Sequence, residues 1–268
     1  MPAPTPMEEF FFDLRGYCIL PEALDPDHLK ELNDRADGLP ELENGEWLGN
    51  MEAHTYGSID GFNLQNIIEA GEPFERLIDH PAWIGLVRHY LGEHGRPFIN
   101  ECFLNLRGKG GYIGVHSGGW KLGDGRVRSG VDGGKWCIQY MSLIAALDDI
   151  GPGDGATVII PGSHKSGFRH PQQSSGTNIT PVPGEEIEGT VEMHLKAGDA
   201  LLINDMLIHG SAARSNEGRR RSLVFRYLPS LYAHRFGYEP SQELLGRLTQ
   251  ERRDIVQPLV PHRPPGRS

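Results

Sequence analysis

From residue 98 onward the chain breaks into short apolar or alternating runs, near 98–106, 136–147, 157–160, 190–195, 200–203 and 222–227, separated by clusters of Gly, Pro and Asp. A half-buried strand has a two-residue side-chain period, and turn-forming residues between such runs return the chain beside its predecessor. The pattern predicts a β-sandwich or barrel rather than alternating βαβ units. The 35 glycines among 268 residues serve the same end: they are nearly twice the usual share of roughly 7%, without the Gly-X-Y period of collagen.

The N-terminal part adds helices. An aromatic-rich entry, Phe10-Phe11-Phe12-Asp13, leads to a short predicted strand within residues 16–21. Asp25 before Pro26 has the form of an N-cap with proline at the first helical position, and predicts a helix to about Asp37, stopped at Gly38. A second helical stretch is expected over 73–91, interrupted near Pro81, and a surface helix over 242–252. With no internal repeat and no linker, residues 1–268 are expected to form one domain, mainly β with flanking helices.

Charge and cysteine content narrow the function classes. A formal net charge of −10 excludes a general DNA- or RNA-polymer binder, which needs a basic face to neutralise phosphates. Cys18, Cys102 and Cys137 form no Cys-x-x-Cys pair, so neither a disulfide framework nor a zinc ribbon is predicted. No apolar run reaches the roughly 18 residues of a membrane helix, and the opening MPAPTPMEEF lacks a basic segment followed by an apolar one. The expectation is a cytoplasmic protein. Its oligomeric state is not legible.

Most of the twelve histidines need no function. The segment HYLGEH (89–94) lacks the His-Glu-x-x-His spacing of a zinc protease, and GPGDG (151–155) lacks the Gly-Lys-Ser/Thr of a phosphate loop and reads as a turn. Two histidines differ in setting. His116, in GYIGVHSGGW (111–120), and His209, in DMLIHGS (205–211), each follow shortly after a predicted strand, where strand ends converge on a site. Beyond His209 come Arg219, Arg220 and Arg221, of which alternation turns one inward and two to solvent.

The segment GDGATVIIPGSHK (153–165) resembles the phytanoyl-CoA dioxygenase-like family of Fe(II)- and 2-oxoglutarate-dependent oxygenases, as do FFDLRGY (11–17), AGD (197–199) and HGS (209–211) with Arg220 eleven residues after His209. These motifs stand in the family's order and cover essentially the whole chain. The fold this implies is a double-stranded β-helix, a cupin-like jelly roll with helices packed outside. Its members hold iron with two His and one carboxylate, the first pair arranged as His-x-Asp or His-x-Glu, which leaves three positions for bidentate 2-oxoglutarate and O2. By position, the resemblance makes His116 and His209 the imidazole ligands. Arg220 becomes the partner of the distal carboxylate of 2-oxoglutarate, a role suited to the guanidinium fork. Ser211 is a second contact for the cosubstrate, and Tyr140 a candidate for the pocket wall. His164 is a loop residue, not a ligand.

Two residues after His116, where the family carboxylate is due, stands Gly118. Three accounts are open, and the first, a radical halogenase, is the reading the resemblance favours. Related iron halogenases carry His-x-Gly or His-x-Ala there, which implies chloride or bromide in the vacant position. The reaction would convert 2-oxoglutarate to succinate and CO2, remove a hydrogen atom from an unactivated C–H bond and deliver halide to the substrate radical. In the second account, water or a carboxylate from elsewhere, Asp124 or Asp132, completes the site of a hydroxylase. The third is a relative that binds a small molecule without turning it over. The loop 120–135 places Lys121, Arg126, Arg128 and Lys135 directly after the metal motif, with Trp120 able to stack on a planar base. Read as a lid rather than a solvated loop, it suits an anionic substrate: an amino acid, or a nucleotide such as 2'-deoxyadenosine monophosphate.

Overall fold

The computed structural model describes residues 3–55, 62–91, 96–117, 130–132, 135–138, 140–166, 168, 170–172, 178–179, 187–230 and 239–257. The larger sheet runs β1 (Tyr17–Leu20), β13 (Ala200–Asn204), β9 (Met141–Ala146), β15 (Arg220–Pro229), β5 (Pro97–Arg107), β4 (Phe62–Gln65), β3 (Met51–His54) and β2 (Trp47–Leu48). The smaller runs β11 (Asn178–Ile179), β6 (Ile113–Ser117), β14 (Ile208–Ser211), β10 (Thr157–Ile160) and β12 (Val191–Met193), while β7 (Gly130–Asp132) and β8 (Lys135–Cys137) form a separate ribbon. Neighbouring strands are antiparallel. This is the expected mainly β jelly roll.

Strand alternation gives the larger sheet two different faces. Cys102, Leu104, Leu143, Leu223, Phe225 and Tyr227 join a buried cluster with Leu32, Trp83, Ile84, Val87 and Leu91 from the helices α2 (Pro26–Asp37) and α4 (Ile84–Leu91) and the turn before α4. Trp83 donates its indole N–H to the Tyr227 hydroxyl at 3.2 Å, which in turn donates to carbonyls of the preceding turn, so the helical layer is fixed to β15 by direction as well as by burial. Phe103, Asn105 and Arg107 alternate with those core residues on β5, as do Ser222, Val224 and Arg226 on β15, and they face a cleft between the sheets. Helices thus cover one face and leave the other for chemistry.

Several sequence expectations are corrected. The run 136–147 is two strands, because β8 pairs with β7 whereas β9 enters the larger sheet. The stretch 73–91 is interrupted at Pro81 as expected, but the break is wider, leaving α3 (Glu72–Glu75) and α4 on either side, since Pro81 lacks an N–H and disfavours helical geometry before it. Over 242–252 the helix divides into α5 (Gln242–Arg247) and α6 (Gln250–Val256), the second capped by the Thr249 side chain. The aromatic entry is a helix, α1 (Pro6–Arg15), opened by a Thr5–Glu8 capping box and closed by Gly16. His164 fastens it by bonding the Asp13 carbonyl at 3.0 Å, a structural contact.

Candidate active site

His116 and His209 are cross-strand partners on β6 and β14, with ring centroids 4.4 Å apart and planes inclined by 54°. Both lie inside strands rather than after them, as sequence had it; the flanking apolar runs are too short to announce a strand. Gly210 permits their approach: a Cβ there would stand 2.8 Å from the Ile113 carbonyl oxygen and 2.8 Å from Val115 Cα, so any side chain would push β14 from β6.

The imidazoles are oriented alike. Nδ1 of His116 lies 2.8 Å from the Gly114 carbonyl, and Nδ1 of His209 lies 2.7 Å from the Leu207 carbonyl. A carbonyl only accepts, so each Nδ1 carries the hydrogen and each neutral ring keeps its lone pair on Nε2. Burial, followed by the nearby His209, lowers the His116 pKa to about 3 and keeps that ring neutral. Asp205, buried in the turn between β13 and β14, brings Oδ1 within 3.7 Å of His209 Nε2. Ser142 donates its hydroxyl to the same oxygen at 2.6 Å, and the Asp205 N–H donates to the Tyr140 carbonyl at 2.9 Å. Burial opposes ionisation of Asp205, but His209, Arg226 and the Ser142 bond outweigh it and lower its pKa to about 2.

The opposite end of the cleft is cationic. Arg220 donates to the Ser222 hydroxyl at 2.6 Å, the Gly155 carbonyl at 2.8 Å and the Asp154 carbonyl at 3.3 Å. Those bonds use Nε and one N–H on each terminal nitrogen, leaving two N–H groups that a carboxylate can meet. Arg107, opposite Arg220 on β5, donates to the Ser211 hydroxyl, which also accepts the Ile113 N–H at 2.7 Å. Burial, then the guanidiniums of Arg107 and Arg214, lower the Arg220 pKa to about 9, an electrostatic deficit that a bound anion relieves. The turn that sequence identified at 151–155 therefore shapes the site, because its carbonyls aim Arg220. Gly155 adopts φ +72°, and a Cβ there would lie 3.1 Å from the Ala212 carbonyl oxygen.

Of the residues singled out from sequence, the structure brings His116, His209, Ser211 and Arg220 to one cleft. Arg219 and Arg221 turn away, toward Glu41 and toward Asp37 with Asp148. Tyr140, the expected pocket-wall residue, is not among the side chains that line the cleft. Gly118, Trp120, Lys121, Asp124, Arg126 and Arg128 lie outside the described residues. Asp132 and Lys135 are register partners on β7 and β8. Sequence reasoning missed Arg107, Arg226, Ser142, Ser222 and Asp205. Polar residues at alternate positions of β5, β9 and β15 were the available signal for the first four, and Asp205, four residues before His209, had only its proximity.

Two imidazole Nε2 atoms suit a borderline divalent ion such as Fe(II), and the guanidinium and hydroxyl pole suits a dicarboxylate keto acid. As they stand, no three His, Cys, Asp or Glu side chains among the described residues are gathered tightly enough to hold an ion. Among those residues no helix is long and apolar enough to cross a membrane.

The model of the phytanoyl-CoA dioxygenase family matches residues 12–222. The chain is 34% identical over 86 residues to the dioxygenase FUM3 of Gibberella moniliformis, covering 32% of this chain and 24% of FUM3. It is 24% identical over 217 residues to the dioxygenase trt7 of Aspergillus terreus, covering 80% of this chain and 70% of trt7. Its fold is similar to that of HygX from Streptomyces hygroscopicus, solved with nickel, 2-oxoglutarate and hygromycin B bound, at a TM-score of 0.66 and 22% identity over 85% of this chain and 88% of HygX.

Proposed function

We propose, because this chain belongs to the phytanoyl-CoA dioxygenase family and is an Fe(II)/2-oxoglutarate-dependent oxygenase, that it oxidises an unactivated C–H bond of a small anionic molecule by oxygen transfer. The observation that carries this reading is the polarity of the cleft, with two imidazoles at one end and the Arg220 fork at the other. His116 and His209 hold the iron through Nε2, and Arg220 with Ser211 receives the distal carboxylate of 2-oxoglutarate. Iron held there would supply the chemistry that couples O2 and 2-oxoglutarate to C–H oxidation, one oxygen atom going to the substrate and the other to succinate as CO2 is lost. The protein's share is placement: β6 and β14 fix the imidazoles, and the sheets on either side exclude water from the reacting carbon.

Halogenation is the second reading, favoured by Gly118, which withholds a ligand and leaves room for chloride or bromide. For both readings the substrate is an anionic nucleotide or amino acid that meets Lys121, Arg126, Arg128 and Lys135, with Trp120 stacked on a base; 2'-deoxyadenosine monophosphate is the first probe. We place the reaction in the cytoplasm, where the free thiols of Cys18 and Cys102 stay reduced. The experiment is a screen of nucleotides and amino acids with Fe(II), 2-oxoglutarate, O2 and chloride, read by mass and isotope pattern. The expected product gains an oxygen atom. A product with the chlorine isotope doublet decides for halogenation, and absence of succinate under all conditions refutes catalysis altogether.

A further inference from the structure

We infer that Arg107 is a second guanidinium clamp on the distal carboxylate of 2-oxoglutarate, facing Arg220 across one strand pairing and setting the preference of the cleft for a dicarboxylate keto acid. This rests on the oxygenase reading and deepens it by naming a further cation for the cosubstrate; the resemblance implies only Arg220 and Ser211 there.

β5 and β15 pair antiparallel, with Arg107 and Arg220 directly opposite each other. Side chains so placed leave the same face of a sheet, with Cβ atoms about 4.5–5.5 Å apart. Both line the cleft, and they are only 1% and 4% exposed. The Arg107 guanidinium spans to the opposite wall, where Nη1 donates to the Ser211 hydroxyl on β14. Arg107 therefore touches one of the two groups that receive the carboxylate and faces the other. Gly155 serves both arginines. Its carbonyl accepts from Arg220 at 2.8 Å, and a Cβ at this position would stand 3.2 Å from Arg107 Cδ, so the turn that aims one guanidinium leaves room for the stem of the other.

Charge points the same way. Like charges directly opposite in a sheet destabilise it, and a buried charge is costly until it is compensated. Arg214, also buried, has the Asp154 carboxylate at 2.7 Å. The acceptors of Arg220 are instead carbonyl and hydroxyl oxygens, which orient a guanidinium without neutralising it. An anion seated between Arg107 and Arg220 relieves their mutual repulsion. After burial, Arg107 is the largest cause of the lowered Arg220 pKa, which reflects that repulsion.

The discriminating probe is 2-oxopentanoate, which keeps the keto acid head and chain length of 2-oxoglutarate but carries a methyl group in place of the distal carboxylate. Both acids are titrated calorimetrically, without oxygen, into Mn(II)-saturated wild type, Arg107→Gln and Arg107→Lys, each first checked by circular dichroism and thermal melting. In Arg107→Gln the Kd for 2-oxoglutarate is expected to rise about tenfold, the equivalent of one hydrogen bond to a charged partner, while the Kd for 2-oxopentanoate and the affinity for Mn(II) stay as in wild type. Arg107→Lys should lie between. The same loss is expected when Arg107→Gln is added to Ser211→Ala; its disappearance there makes Arg107 a brace for Ser211 and overturns the inference. Equal weakening of both acids overturns it as well, since a residue that only shapes the cleft does not distinguish them. So does an unchanged ratio of the two constants. Should Arg107→Gln not fold, Arg107→Lys is judged by that ratio. A wild type that does not prefer 2-oxoglutarate refutes the oxygenase reading itself, whereas a wild type that prefers it equally with and without Arg107 refutes only the clamp.

Discussion

Replacing Arg220 by Gln tests the anion-binding pole of the cleft. Three of the five guanidinium N–H groups are spent on Ser222, Gly155 and Asp154, so a ligand carboxylate has two left to meet. Hydrogen bonds to charged partners contribute about 1.5–3 kcal/mol each. Arg107 stays opposite on β5 and retains part of the positive potential, which selects the lower figure for each bond, about 3 kcal/mol for the pair. At 1.4 kcal/mol per decade the Kd for 2-oxoglutarate should rise roughly 100-fold. The assay is calorimetric titration of 2-oxoglutarate into Mn(II)-saturated protein without oxygen. Arg220→Lys, which keeps the charge but not the fork, should lie between the two, and Mn(II) affinity should be unchanged in both. A folded Arg220→Gln protein that binds 2-oxoglutarate within threefold of wild type would refute the assignment. Its melting temperature should also drop, since the Gly155 carbonyl loses a buried donor.

The remaining predictions concern packing and titration. Gly210→Ala forces a methyl to within 2.8 Å of the β6 backbone; overpacking of this kind costs about 1–3 kcal/mol, and cobalt titration should show metal affinity lost together with thermal stability. Gly155→Ala adds αL strain of about 1–2 kcal/mol at φ +72° and moves the carbonyl that aims Arg220, so KM for 2-oxoglutarate should rise more than kcat falls. His80 is buried, stacks on Trp83 at 4.4 Å between ring centroids and accepts the Ala82 N–H on Nδ1, with burial, then His28, lowering its pKa to about 4. The unfolded imidazole protonates near 6.5, so between these values the unfolded chain binds the extra proton and stability falls as pH is lowered. Urea unfolding from pH 7 to pH 4.5 should show that slope, reduced in His80→Gln; an unaltered slope in the variant rejects His80 as its source.

The inter-sheet architecture was legible because a two-residue period survives in any strand with one face buried, as at Ser222, Val224 and Arg226 against Leu223, Phe225 and Tyr227. The capped helix at 26–37 was legible because Asp25 and Pro26 act locally. What escaped was set by distant partners. The strand β3 takes its register from β4, and β14 is four residues long and held by β6 and β10; neither has enough internal pattern to stand alone. In the site, His116, His209 and Arg220 were singled out through the family resemblance, and the structure brings them to one cleft. Arg107 and Asp205 were missed because their relevance arises from proximity across 104 residues to Ser211 and across 63 to Ser142.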